Sequence, residues 1–340
     1  MLLQENVSLK KLNTFGIACN ARYLVDIGDA TDLQEALADS RFAGIPEMIL
    51  GGGSNVLFTQ DWPGLMLLNR MQGIETIGED SKHVWIKAMA GTEWHKLVMH
   101  SVDNGWGGIE NLSLIPGSCG AAPMQNIGAY GRELKDVFEN LEAIDLKTGE
   151  LTVFDSAKCH FGYRESIFKH DAKGQYFITS ITLKLSKQPE LNISYGDIKM
   201  TLFEDMKVSE PTVKDVSQAV IRIRQSKLPD PSELGNAGSF FKNPEIENTV
   251  YESLKEKHPV MPAYPANKSG HTKLAGGWLI EQCGLKGKRV GNCGIHARQA
   301  LVIVNYGGAK GDEIWSLAQE VIAAVSDKFG VILCPEVNLV

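Results

Sequence analysis

Between Ile115 and Gly131 the chain reads IPGSCGAAPMQNIGAYG, seventeen residues that include four glycines, three alanines and two prolines. So few large side chains cannot build a core helix, and no apolar–polar alternation marks a half-buried strand. The fold must therefore be organised around a long irregular backbone segment. Small residues let that backbone lie flush against a flat ring and offer it amide donors. Long segments without regular structure inside an ordered domain are usually functional. This one is expected to line a cofactor.

Two other runs point the same way. Met48-Ile49-Leu50 leads into Gly51-Gly52-Gly53-Ser54-Asn55 and then Val56-Leu57-Phe58. A dinucleotide fingerprint would need its glycines to open a helix, and the Asp61-Trp62-Pro63-Gly64 that follows cannot extend one. No Gly-Lys-Ser/Thr follows, so the Walker pattern fails as well. What remains is a hairpin turn or a nest of backbone N–H groups able to bind a diphosphate. The run Gly235 to Pro244 places one hydroxyl, Ser239, on what reads as a tight turn, where Gly235 and Gly238 are expected to adopt conformations closed to other residues. Phe240 and Phe241 would exclude water beside that serine, and Lys242 and Asn243 add polar groups.

With 340 residues the chain can form two or three domains, and its 43% hydrophobic and 22% charged content is that of an ordinary globular protein. A net charge of −7 argues against a general nucleic-acid binder. It leaves room for a small anion held by a local cluster of Lys and Arg. The six cysteines form no Cys-x-x-Cys pair, and the closest of the eight histidines, His95 and His100, lack ligand spacing. No metal, no disulfide framework and a reducing compartment are expected. Met1 to Asn13 carries no apolar signal core, and no run approaches the roughly 18 apolar residues of a membrane span. A cytoplasmic protein is the expectation.

Strands are expected at 48–50, 56–58, 65–68, 84–88 and 141–145. Thr31 is expected to cap a helix carrying Leu33, Ala36 and Leu37, and a second helix after Thr92 would bury Trp94, Leu97 and Val98 and stop at Gly105. Thr212, with Asp215 three residues on, should cap a helix that buries Val213, Val216, Val220 and Ile223. Ile314 to Phe329 keeps helical spacing until Gly330. The Lys-Leu-Pro-Asp-Pro run at 227–231 marks an expected domain boundary, since its two prolines stop the preceding helix.

Taken in order, Asn13-Thr14-Phe15-Gly16, Leu50 to Asn55, the 115–131 loop, Phe161-Gly162-Tyr163-Arg164-Glu165-Ser166, Tyr195-Gly196-Asp197, Lys227 to Pro231, Gly235 to Pro244 and Cys334-Pro335-Glu336-Val337 resemble the motifs of the MurB-type UDP-N-acetylenolpyruvoylglucosamine reductases. The resemblance covers nearly the whole chain. It implies an α+β protein with an FAD-binding domain of the PCMH/VAO type, shared with vanillyl-alcohol and p-cresol oxidases. That domain would consist of two α+β subdomains, 1–70 and 71–225, and be followed by a substrate-binding α+β domain over 226–340. It also implies the subtype with a tyrosine-bearing insertion, here near 187–210. Ala121 departs from members that carry serine there, which removes a side-chain contact to the flavin.

The family reaction takes hydride from NADPH through noncovalent FAD to the terminal carbon of an enolpyruvyl ether. Hydride addition leaves negative charge on the neighbouring carbon and its carboxylate, so the site must stabilise an enolate and deliver one proton. By matched motif Ser239 is the proton donor, with Arg164 and Glu336 as the other catalytic positions. The planar fork of arginine suits a carboxylate, whereas an ionised Glu336 could not stabilise an anion and would have to share a proton. The flavin positions implied are Gly51, Gly52, Gly53, Ser54, Asn55, Pro116, Gly117, Gly120, Ala121, Ile127 and Gly128. Those for the nucleotide diphosphate are Tyr195, Arg224, Lys227, Asn243 and Lys286. The Tyr195 segment is expected to be mobile and the protein to act as a monomer on small molecules. Two competing readings are an oxidase on the same flavin scaffold and a catalytically silent nucleotide-sugar binder. NADPH consumption that depends on the enolpyruvyl nucleotide separates all three.

Overall fold

His83–Met89 alternates buried with half-buried side chains, the pattern of a strand with one face in a core. It runs antiparallel to Tyr176–Ser186, with Ile86 opposite Leu183 and Ala88 opposite Ile181. The computed structural model describes residues 2–340. There this pair lies inside a five-stranded antiparallel sheet ordered Leu151–Asp155, Phe138–Asp145, Tyr176–Ser186, His83–Met89, Ile74–Glu79. Helix Trp94–Asp103 adds Trp94, Leu97, Val98 and Val102 to the same core, a stripe at helical spacing.

A four-stranded sheet takes the order Leu2–Ser8, Asn20–Ile27, Trp62–Asn69, Glu47–Leu50. Leu33 and Ala36 of helix Ala30–Ala38 pack with Val25, Ile27, Leu65 and Leu67. The cap of that helix is Asp29 rather than Thr31. Its carboxylate accepts from the N–H groups of Thr31 and Asp32 at 2.8 and 3.0 Å, and a negative charge there also suits the helix dipole. Helix Val213–Lys227 starts as the sequence predicts. The Thr212 hydroxyl accepts from the Asp215 N–H at 3.3 Å, and the Asp215 carboxylate accepts from the Thr212 N–H at 2.9 Å. Val216, Val220 and Ile223 join Ile198 and Leu202 in a small satellite core.

These elements make up one unit, which comprises the chain through Val7, Ala21–Gly52 and Pro63–Ser226; the other comprises Ser8–Asn20, Gly53–Trp62 and Lys227–Val340. The second unit has an antiparallel sheet ordered Gly235–Ser239, Val302–Asn305, Cys293–Ile295, Arg289–Val290. Against it packs helix Gly311–Phe329, which buries Ile314, Leu317, Val321 and Val325 and ends at Gly330 with φ +67°. A smaller three-stranded sheet joins Glu245–Glu247, His271–Leu274 and Ala263–Pro265. Antiparallel pairing dominates, although helix Ala30–Ala38 crosses between Asn20–Ile27 and Glu47–Leu50 of the four-stranded sheet, and the class is α+β.

Two expectations about the glycine-rich runs resolve here. The 51–55 run is not a hairpin turn. Glu47–Leu50 pairs in parallel with Trp62–Asn69, whereas Val56–Leu57 pairs in parallel with Asn338–Leu339. The 115–131 stretch is not irregular throughout: Cys119–Gln125 forms a 3₁₀ helix, and Gly128–Ala129 pairs with Arg132–Glu133.

Candidate active site

In the first unit the glycine run and the small-residue loop come together. A Cβ on Gly52 would stand 2.9 Å from the Gly117 Cα, and one on Gly51 would stand 2.4 Å from the Ser118 Oγ. Most amides of the loop are spent within the protein. Those of Cys119, Gly120, Ala121 and Ile127 donate to the carbonyls of Thr92, Ala90, Ser118 and Ala122. Among the described residues, the N–H groups of Gly51, Gly52, Gly117 and Ser118 donate to no acceptor in the chain. Donors open to a ligand are thus concentrated at 51–52 and 117–118 rather than spread along the loop, and Pro116 has none to give. Gly120 is small for a packing reason, since a Cβ there would come within 2.5 Å of the Ala90 side chain. Two glycine-lined backbones with unspent amides fit a flavin dinucleotide, whose diphosphate accepts hydrogen bonds and whose ring tolerates no bulk.

Arg164 sits at φ +55° on a tight turn closed by Gly162 N–H to Glu165 O at 3.0 Å and Glu165 N–H to Gly162 O at 3.3 Å. A left-handed conformation at a long side chain is uncommon and marks a position fixed by its surroundings. Its guanidinium donates to the carbonyl of Gly128, and buried Asn126 donates to Gly162 O at 2.9 Å. The Ser166 hydroxyl donates to Met124 O at 2.7 Å. The turn is thereby laced to the loop, while the Glu165 carboxylate pairs with His170 at 2.7 Å.

Arg224 projects from helix Val213–Lys227, and its Nε is buried without a hydrogen-bond partner. Burial pushes the guanidinium pKa down, with Tyr130 opposing the shift and the Arg164 charge adding to it. A sunken guanidinium lacking a partner, with a second arginine near it, is an arrangement that an anion would complete. Tyr195, 45% exposed, meets Tyr130 edge to face with ring centroids 6.3 Å apart. Tyr130 escaped the sequence reading; its only signal was an aromatic ring at the end of a small-residue run. His95 escaped it too. Its Nδ1 accepts from the N–H of Leu114 at 3.0 Å, and Leu114 begins the loop at φ +58°. Burial first, then the Arg224 charge, push the His95 pKa down against Glu93, a direction that favours the neutral ring able to accept at Nδ1.

In the second unit Ser239 ends a strand, not a turn. The strand Gly235–Ser239 pairs with Val302–Asn305 and shifts register between Asn236 and Ser239, where Gly238 takes φ +68°. Gly235 is glycine for space, since its φ is not left-handed but a Cβ would stand 2.3 Å from the Phe15 carbonyl oxygen. The Asn13–Gly16 segment therefore backs this strand. Asn236 N–H donates to Thr14 O at 3.0 Å, Asn305 Nδ2 donates to Phe15 O at 2.8 Å, and Phe15 meets Phe240 edge-on. Phe240 and Phe241 are fully buried beside Ser239. The Glu336 N–H donates to Phe240 O at 2.8 Å, which sets Glu336 next to the Ser239 strand.

The remaining positions of this unit are less uniform. Gly53 takes φ +62°, and its carbonyl accepts from the Thr14 N–H. Asn55 Nδ2 donates to Glu336 O at 3.2 Å, so that side chain serves the backbone. Asn243 Oδ1 accepts from the Gly276 N–H at 2.9 Å, so the oxygen of that amide serves the backbone and its NH₂ can act only as a donor. Lys286 lies in an ion pair with Glu281 at 3.0 Å, and a phosphate would have to compete with that carboxylate. Lys227, exposed, ends its helix. Among the described residues no three His, Cys, Asp or Glu side chains gather to hold a metal ion, and no helix is long and apolar enough to cross a membrane.

Comparison with known proteins accounts for both units. Residues 21–155 match the model of an FAD binding domain, and residues 230–340 match that of the UDP-N-acetylenolpyruvoylglucosamine reductase C-terminal domain. The chain is 48% identical to the UDP-N-acetylenolpyruvoylglucosamine reductase of Amoebophilus asiaticus over 340 residues, covering 100% of each chain. It is 47% identical to that of Pseudomonas aeruginosa over 337 residues, 99% of this chain and 98% of the relative. The crystal structure of UDP-N-acetylenolpyruvylglucosamine reductase from Thermus caldophilus shares the fold, with a TM-score of 0.68 at 24% identity over 99% of both chains.

Proposed function

The chain belongs to the UDP-N-acetylenolpyruvoylglucosamine reductase family, and from that premise we propose how its own residues carry the reaction. It is an FAD-dependent oxidoreductase that uses NADPH to reduce the enolpyruvyl ether of UDP-N-acetylglucosamine-enolpyruvate to UDP-N-acetylmuramate, a peptidoglycan precursor. Its flavin-binding part is of the PCMH/VAO type. Bound FAD supplies the relay of hydride between NADPH and the terminal enolpyruvyl carbon. The unspent amides of Gly51, Gly52, Gly117 and Ser118 would hold the dinucleotide without covalent attachment.

Reduction leaves charge on the carbon beside the carboxylate. Arg164 pairs its fork with that carboxylate and its developing enolate, a bidentate match that lysine could not make. Ser239 hands its hydroxyl proton to the carbon, and Glu336, next to the Ser239 strand, shares a proton with the same groups. Serine is a weak acid, so its competence rests on a strongly basic acceptor and on good orientation. Tyr195, Arg224, Lys227, Asn243 and Lys286 bind the nucleotide diphosphate. The observation that carries this reading is Arg224, a sunken guanidinium with an unpartnered Nε close to a second arginine. Residues 1–70 and 71–225 serve the flavin and 226–340 the nucleotide sugar. The enzyme works as a cytoplasmic monomer, independent of nucleic acid and membrane; the net charge of −7 supports the lack of nucleic-acid binding, and no described helix is long and apolar enough to cross a membrane.

The test separates the two half-reactions by stopped-flow absorbance. NADPH reduces the flavin before any enolate exists. Ser239→Ala should therefore leave flavin bleaching nearly intact and slow reoxidation by the enolpyruvyl nucleotide by about 10²–10⁴-fold, the usual worth of general acid catalysis. Ser239→Cys, which keeps an ionisable donor, should retain more activity. Equal slowing of both halves by alanine would make Ser239 a structural residue.

A further inference from the structure

The segment Glu110-Asn111-Leu112-Ser113 lies inside the first unit although three of its residues are polar, and Glu110, Asn111 and Ser113 are each 0% exposed. Burying such groups is costly unless they are hydrogen-bonded, and the bonds of Asn111 run to two distant parts of the chain. Its Nδ2 donates to the carbonyl of Tyr130 at 3.0 Å and to that of Asn192 at 2.8 Å. The Asn111 Oδ1 is buried with no partner, so the two donors hold the amide in place at the expense of its oxygen.

A second amide closes the same seam. Asn192 Nδ2 donates to Gly131 O at 2.9 Å, and the Arg132 guanidinium donates to Glu190 O at 2.9 Å. The seam is tight: a Cβ on Gly131 would come within 2.8 Å of the Asn192 amide and 3.4 Å of the Tyr195 Cβ. The two backbones joined in this way carry Tyr130 and Tyr195, whose rings cross at 90°. The same buried segment also reaches the helix bearing Arg224, because the hydroxyls of Ser113 and Ser217 share a hydrogen bond at 2.8 Å.

We propose that Asn111 is a positioning residue for nucleotide-sugar binding, whose amide clips the Tyr130 loop to the Tyr195 segment and so fixes where the Tyr195 phenol meets the diphosphate. This assignment rests on the reading of Tyr195 as a diphosphate ligand. Wholly buried, Asn111 acts only through the two carbonyls it holds. Aspartate could not replace it, because its carboxylate would face both carbonyl oxygens without a proton to offer.

The experiment uses flavin-loaded enzyme and compares Asn111→Ala and Asn192→Ala with Tyr195→Phe. Asn111→Ala should raise KM for the enolpyruvyl nucleotide about tenfold and Asn192→Ala about threefold, the scale of two and one neutral hydrogen bonds. The kcat value and flavin bleaching by NADPH should stay close to wild type. In a Tyr195→Phe background, adding Asn111→Ala should raise KM less than about twofold, because the contact it positions is already gone. A full tenfold further rise in that background overturns the proposal, as does an unchanged KM with poor flavin retention. Should Asn111→Ala fail to hold flavin, Asn192→Ala decides by the same criteria. Weakened binding in Tyr195→Phe with normal KM in both asparagine variants overturns the clip alone. Normal binding in Tyr195→Phe overturns the reading of Tyr195 and the clip with it.

Discussion

Replacing Gly235 with alanine should damage the enzyme through a single atom. A Cβ at this position would lie 2.3 Å from the Phe15 carbonyl oxygen and 2.9 Å from its carbon, where ordinary contact begins near 3.4 Å. Both neighbours are backbone, so no side chain can swing away, and strand and supporting segment must part by about 1 Å. Overpacking of this kind typically costs about 1–3 kcal/mol, and the bonds from Asn236 to Thr14 and from Asn305 to Phe15 lengthen with it. The strand ends at Ser239, and a displacement near 1 Å can cost about 10²-fold in rate. Thermal unfolding should show the lost stability. Stopped-flow absorbance should show reoxidation by the enolpyruvyl nucleotide slowed by about 10²-fold, with flavin bleaching little changed. Gly238→Ala is the control. It takes φ +68° but has open space around it, so alanine there costs only about 1–2 kcal/mol of backbone strain. Wild-type stability and reoxidation in Gly235→Ala would refute the steric argument.

Other expectations follow from the same sites. Purified enzyme should be yellow and release all its flavin on acid precipitation; flavin retained in the pellet would contradict noncovalent binding. Tyr195→Phe and Lys227→Ala should weaken binding of the nucleotide sugar by roughly 10- to 150-fold, the worth of a hydrogen bond to a charged group, as measured by titration of the flavin spectrum; unchanged affinity in both excludes these two residues as diphosphate ligands. Burial pushes the Cys19 thiol up from 9.0 to about 11 and the Cys159 thiol to about 12, in each case helped by a nearby aspartate. A raised pKa leaves less thiolate at any given pH. At pH 8 these two should therefore react with a disulfide reagent at least about 100-fold more slowly than in unfolded protein, while exposed Cys334 reacts first. Fast labelling of all six thiols in the native enzyme would show that the burial is not maintained.

Short-range pattern settled what depends on neighbours in sequence. Thr212 with Asp215, the apolar stripe from Val213 to Ile223, and Gly330 after Phe329 each specify a helix or its end within one turn, and the structure forms them there. The strand segments 84–88 and 141–145 were legible because side chains alternate between faces with a period of two. Motif order alone pointed to the family. The cap of the first helix was misread because Asp29 and Thr31 are both good caps, and only the backbone geometry chooses between them.

Tertiary structure decided whatever depends on pairing across the chain. No periodicity near residue 56 says that Val56–Leu57 will pair with Asn338–Leu339 instead of Glu47–Leu50, because parallel partners are set by topology rather than by a local turn. The reason for Gly235 was invisible for the same cause: the obstructing atom belongs to Phe15, more than two hundred positions away. A sequence can show that Arg224, Tyr130 and Asn111 are polar or aromatic. It cannot show that one guanidinium nitrogen lacks a partner, that two tyrosine rings cross, or that one buried amide holds the carbonyls of both Tyr130 and Asn192, since those are facts of distance that exist only once the chain has folded.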